Sequence, residues 1–89
     1  MTTQIINKKN KRLIILYILD LLEQGTSITK PFSVTRITLA LNKLGVECER
    51  RTVSRNVNYL IAYGKPIVKL KNGKIYYDKT KEKNYEKVF

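Results

Sequence analysis

The chain has 89 residues, enough for one modest core and not for two, which argues against a separate sensing domain or a large substrate cavity. Its 18 Lys and Arg against 7 Asp and Glu leave a net charge of +11, a self-repulsion that an anionic partner would relieve, nucleic acid first and an acidic membrane surface second. With a single cysteine, Cys48, and no histidine, neither an intramolecular disulfide nor the usual zinc sets can be assembled, and the expectation is an intracellular protein without metal or cofactor.

The basic excess runs through the body of the chain: residues 1–30 carry five cations and two acids, 31–64 five and two, 65–89 eight and three. A polybasic tail on a neutral domain would have pointed to a simple electrostatic tether. The stretch 7–12, NKKNKR, is a basic arm whose Lys8, Lys9, Lys11 and Arg12 either hold phosphates or form a solvated helix start. From Lys8 to Gln24 nothing breaks a helix, and Leu13, Ile14, Tyr17, Ile18, Leu21 and Leu22 recur at the spacing of a buried face, with Gly25 as the stop. Ile15, Leu16 and Leu19 widen that stripe, so the helix is either buried on most sides or partly reserved for a second subunit. Residues 13–22 hold Asp20, fall short of the roughly 20 residues that span a bilayer and lack a signal-peptide cleavage site, so no membrane segment is expected.

Residues 26–32, TSITKPF, read as a connection. A second helix starts at Ser33, a good N-cap, with Val34, Ile37, Leu41 and Leu44 as its inner face and Gly45 as its end. The short VECE connector, 46–49, leads to a third helix from about 50 to 63, closed by Gly64. Pro66 prevents the helix from resuming, and the period then changes to two. Residues 67–78 read as two short strands around Asn72-Gly73, a pair suited to a two-residue type I′ turn. That register sets Leu70 against Ile75 and Val68 against Tyr77 on an apolar face, and Lys69 against Tyr76 and Lys71 against Lys74 on a cationic one. The tail, 79–89, is either a frayed helix docked by Tyr85, Val88 and Phe89 or disordered. Three helices and a β-hairpin in this order, with four residues between the second and third helices, predict a single mainly helical domain with the layout of a winged helix-turn-helix.

On the third helix Val53, Val57, Leu60 and Ile61 form the buried stripe, while Arg51, Arg55, Asn58 and Ala62 lie opposite, with Thr52 and Tyr59 at the edge. No acid occurs from residue 50 to 77. In a helix-turn-helix this helix enters the major groove and reads bases from its N-terminal half, where arginine donates two parallel bonds to guanine. Arg51, Thr52 and Arg55 are therefore the candidate base contacts. Asn58, Tyr59 and Arg50 are candidate backbone contacts; the wheel turns Arg50 toward the buried side, where pairing with Glu47 or Glu49 competes with a phosphate. Lys69, Lys71, Lys74 and Tyr76 suit the DNA backbone or a minor groove, although lysines also protect an exposed strand edge.

Residues 33–67 resemble the helix-turn-helix at the N-terminus of DeoR-type and WYL-domain bacterial regulators, on the matching residues Arg51, Thr52, Val53, Arg55, Val57, Leu60, Gly64 and Ile67. Asn56 stands where those proteins have Asp, and Glu49 where a capping Ser is usual. The resemblance implies DNA binding; it does not carry over the ligand sensing of the larger regulators, since this chain ends at Phe89. With no histidine and no clustered acids, catalysis is not expected. The expectation is sequence-specific binding of double-stranded DNA by a small transcriptional regulator, cytoplasmic and nucleoid-associated if bacterial or phage, in which a homodimer through the first helix and the tail would set half-site spacing. A winged-helix protein-interaction module and an RNA-binding protein are the alternatives.

Overall fold

A computed structural model describes residues 11–82. A 3-10 turn, Lys11–Leu13, leads into α1 (Ile14–Gly25); α2 (Val34–Lys43) and α3 (Arg50–Tyr63) follow, then β1 (Ile67–Lys69), β2 (Ile75–Tyr77) and a second 3-10 turn, Lys79–Lys81. The strands pair antiparallel, and the whole has the winged-helix layout. The expected start of the first helix at Lys8 and residues 83–89 of the tail lie outside the described residues.

One core joins all five elements. Ile14, Ile18 and Leu22 of α1, Ile37 and Leu41 of α2, Val53, Val57 and Leu60 of α3, and Ile67, Ile75 and Tyr77 of the hairpin are buried together with Phe32 and Val46. Burying each large aliphatic side chain contributes about 1.5–3 kcal/mol, so the hairpin is held by this shared cluster more than by its three residue pairs. On α1 the stripe is narrower than the apolar sequence suggests: Tyr17 and Leu21 are half-buried and Leu13 and Leu16 exposed.

The helix ends explain several shifts in the core. Gly25 is the last residue of α1, and the cap beyond it is Thr26, whose hydroxyl donates to Leu22 O at 2.6 Å and accepts from Tyr77 N at 2.9 Å. That buried hydroxyl ties the end of α1 to β2. Ser33 caps α2 as expected, accepting from Arg36 N at 3.1 Å. At the other end Gly45 adopts φ 92°, Gly45 N bonds Asn42 O and Val46 N bonds Leu41 O, the Schellman pattern that only a residue tolerant of positive φ closes cheaply. This reversal drives Val46 into the core in place of Leu44, which the sequence assigned to the inner face and which is 53% exposed. Asn42 then braces the connector, its amide bonding both the N–H and the carbonyl of half-buried Cys48.

The hairpin register differs by one residue from expectation. Ile67 faces Tyr77, Val68 faces Tyr76 and Lys69 faces Ile75. Leu70 N bonds Lys74 O, Gly73 N bonds Leu70 O, and Gly73 has φ 88° while Asn72 does not have positive φ. This is a three-residue loop, a type I turn followed by a left-handed glycine, and a type I′ turn would have required positive φ at Asn72 as well. Since the side-chain period is two, one residue of slip changes which face each side chain occupies. Ile67 takes the core position expected of Val68, and Tyr76 is buried at 7% exposure, away from Lys69. The burial of all of β2 has a second cause: Phe32 exchanges two backbone bonds with Ile75, at 2.8 and 2.7 Å, and covers its free edge.

Candidate nucleic-acid interface

The last turn before α3 is extended at Glu49, whose side chain makes no capping bond, so the first-turn N–H groups of α3 have no side-chain cap. The first turn of α2 opens nearby, and the two helix starts and the wing tip enclose a surface groove of ≈ 530 Å³ lined by Val34, Thr35, Glu49, Arg50, Arg51, Ser54 and Gly73. Two helix N-termini, each with partial positive charge, and two guanidinium groups meet there; Glu49 is the one acid among the lining residues. The arrangement suits an anion with several acceptor oxygens better than a cation or an apolar ligand.

Arg50 corrects the sequence reading. It is exposed and lines this groove beside Arg51. The wheel placed it inward on the assumption that the core continues under the whole helix, whereas the first buried residue of α3 is Val53. Ser54, absent from the expected contacts, lines the groove as well. Its signal was available: it lies about 40° from Arg50 on the wheel, one turn on.

Arg51, Arg55, Asn58 and Ala62 are exposed and project within about 60° of one another. Thr52 is half-buried, a poorer base contact than expected; its carbonyl accepts from Asn56 Nδ2 at 2.9 Å. The Asn56 amide thus bonds back onto α3 itself. Lys71 and Lys74 are exposed at the wing tip, where Lys74 N bonds Asn72 Oδ1 at 2.9 Å. Lys69 leans on the helix, its Nζ donating to Asn58 Oδ1 at 2.7 Å. Outside the expected set, the exposed Arg36 on α2 stacks its guanidinium 4.2 Å from the centre of the Phe32 ring.

Two expected contacts move off this surface. Tyr76 is buried under the register shift. Tyr59, though 55% exposed, lies on the opposite flank of α3, lining with Ile15, Leu16, Leu19, Leu60, Tyr63 and Lys65 a mostly apolar groove of ≈ 600 Å³ against α1. The extra apolar stripe of α1 thus stays partly uncovered, with Leu16 52% exposed, and Tyr63 of α3 on the same groove is 75% exposed. In the arm, Arg12 is exposed and has an interaction partner, while Lys8 and Lys9 and the side chain of Lys11 fall outside the described residues.

Fold and surface together define the class, a winged helix-turn-helix layout with a cationic face built from α2, α3 and the wing. No protein-family model, curated protein or solved structure matches the chain. Among the described residues no group of three or more His, Cys, Asp or Glu comes together, and no helix is long and apolar enough to cross a membrane.

Proposed function

We propose that the chain binds double-stranded DNA sequence-specifically and acts as a small transcriptional regulator. The observation that carries this reading is the convergence of both helix starts, Arg50, Arg51, Ser54 and the wing tip around one groove, with Arg55 exposed one turn after Arg51 on the same helix. Inserted in the major groove, α3 directs Arg51 and Arg55 at base edges, where a bidentate arginine–guanine pair is worth about 1–3 kcal/mol of discrimination. Arg50, Ser54, Lys71 and Lys74 hold phosphates on either side, which fixes register without reading sequence. Fluorescence anisotropy on a labelled duplex across a salt series tests it: each neutralised phosphate contributes about −0.9 to the log–log slope, so six contacts give a slope near −5. A slope near zero would sink the reading.

A homodimer belongs to the same proposal. Leu16, Tyr59 and Tyr63 leave an apolar surface on the side of α3 away from the wing, and a second copy seated there would set two recognition helices at a fixed half-site spacing. Of the tail expected to join this contact, 79–89, only residues 83–89 lie outside the described residues. The same groove is the observation that favours the alternative of a protein-interaction module. Competition separates the readings: duplex DNA, and neither RNA of the same sequence nor an acidic polypeptide, displaces the labelled duplex.

A further inference from the structure

Arg12, Leu16, Leu19 and Glu23 follow one another at spacings of four, three and four residues, the spacing that lays side chains along one seam of a helix. Leu16, Leu19 and Glu23 project within about 60° of one another from α1, and Arg12 stands one turn before Leu16, in the 3-10 turn that leads into the helix. The seam is open: Arg12 and Leu16 are exposed, and Leu19 and Glu23 are half-buried. Leu16 and Leu19 also line the apolar groove whose other wall carries Tyr59 and Tyr63 of α3, both exposed. A cation thus stands at one end of a partly uncovered leucine pair and an anion at the other.

The order of the spacings and the order of the charges together select the occupant. Four, three, four reads the same from either end, so a copy of the seam turned end for end meets the original in register, Leu16 against Leu19 and Arg12 against Glu23. Both charged pairs are then attractive. A copy laid parallel sets Arg12 on Arg12 and Glu23 on Glu23, and like charges oppose it at both ends. We propose that the second copy docks by antiparallel packing of its α1 on this seam, about a two-fold axis that crosses the helix between Tyr17 and Ile18. The inference rests on the homodimer reading above and gives it a register. Arg12 has another interaction partner, and a guanidinium with five N–H donors can keep it while meeting Glu23 of the second copy. The two pairs counter, at the contact itself, the repulsion of a +11 chain for its copy. Because the contact is isologous it closes at two copies, with the two recognition helices on half-sites in inverted order.

Sedimentation equilibrium over a concentration series, with protein alone and with duplex, tests the register. Arg12→Glu and Glu23→Arg each turn both charged pairs into like-charge contacts, so each variant alone associates about tenfold more weakly than the wild type. An equimolar mixture of the two variants recovers wild-type association, because one copy then carries both acids and the other both arginines. Recovery also shows that neither variant has lost its fold. Unchanged association of the single variants overturns the seam even if the wild type dimerises. Weakened variants that do not recover in the mixture overturn the antiparallel pairing. A wild type that stays monomeric throughout, with and without duplex, overturns the homodimer and this inference together. The expected pattern in a protein that binds no duplex supports the seam and sinks the DNA reading alone.

Discussion

Arg55 and Lys71 are both exposed cations, and their positions separate them. Arg55 projects from the second turn of α3, while Lys71 sits in the wing loop. Arg55→Ala is expected to cost about 1–3 kcal/mol of binding and to relax the preference at one base pair, whereas Lys71→Ala weakens all sequences alike. Competition with a panel of single-base variants of the bound duplex measures both. Thr26 makes a different prediction, for stability: its buried hydroxyl accepts from Tyr77 N and donates to Leu22 O, so Thr26→Val removes both bonds and lowers stability by about 1–3 kcal/mol in a urea titration, with DNA binding unchanged. Arg50 illustrates what a helical wheel leaves out. It gives direction around an axis and not how far along that axis the core extends, and the core of α3 begins at Val53.

At the scale of elements, the three helices were legible from their 3.6-residue periodicity, and the bounds of α3 agree with those read from residues 50 to 63. The hairpin was legible in place and not in register. Asn-Gly serves both a two-residue type I′ turn and the last two positions of a three-residue loop, and local sequence does not choose between them. Contacts distant in sequence bear on the choice: Phe32 bonds both backbone groups of Ile75, and Thr26 bonds Tyr77 N, which hold β2 against the rest of the core. The loop therefore depends on Gly73 at φ 88°, where a Cβ would meet no neighbour. Gly73→Ala costs about 1–2 kcal/mol through backbone strain alone, visible as a lower melting temperature. After β2, Asp78 caps the short 3-10 turn. The Thr80 hydroxyl, opposed by partial burial and supported by the Thr80 N–H and Lys81, holds the Asp78 carboxyl below its ordinary 3.8. A depressed folded-state value stabilises fully above the unfolded value and is lost as pH falls through the folded one. The melting-temperature gap between the wild type and Asp78→Asn should thus close as pH drops below 3.8.

For the molecule as a whole, charge and apolar surface divide between two flanks of α3. The wing side gathers Arg50, Arg51, Ser54 and the hydrogen-bonded pair Asn58 and Lys69; the α1 side gathers Leu16, Leu19, Tyr59 and Tyr63. Tyr59 sits between these surfaces in sequence and belongs to the apolar one, which residue type alone did not disclose, because a tyrosine suits either. A net charge of +11 opposes self-association in the absence of DNA, so the proposed dimer should strengthen when duplex is present. Leu16→Glu should abolish the two-copy complex in sedimentation on a two-half-site duplex and leave binding to a single half-site. Selecting bound sequences from a random duplex pool tests sequence-specific binding most directly. Convergence on one motif, with guanines at positions lost in Arg51→Ala and Arg55→Ala selections, is the predicted result. Recovery of the input distribution at salt concentrations where the protein still binds would contradict it.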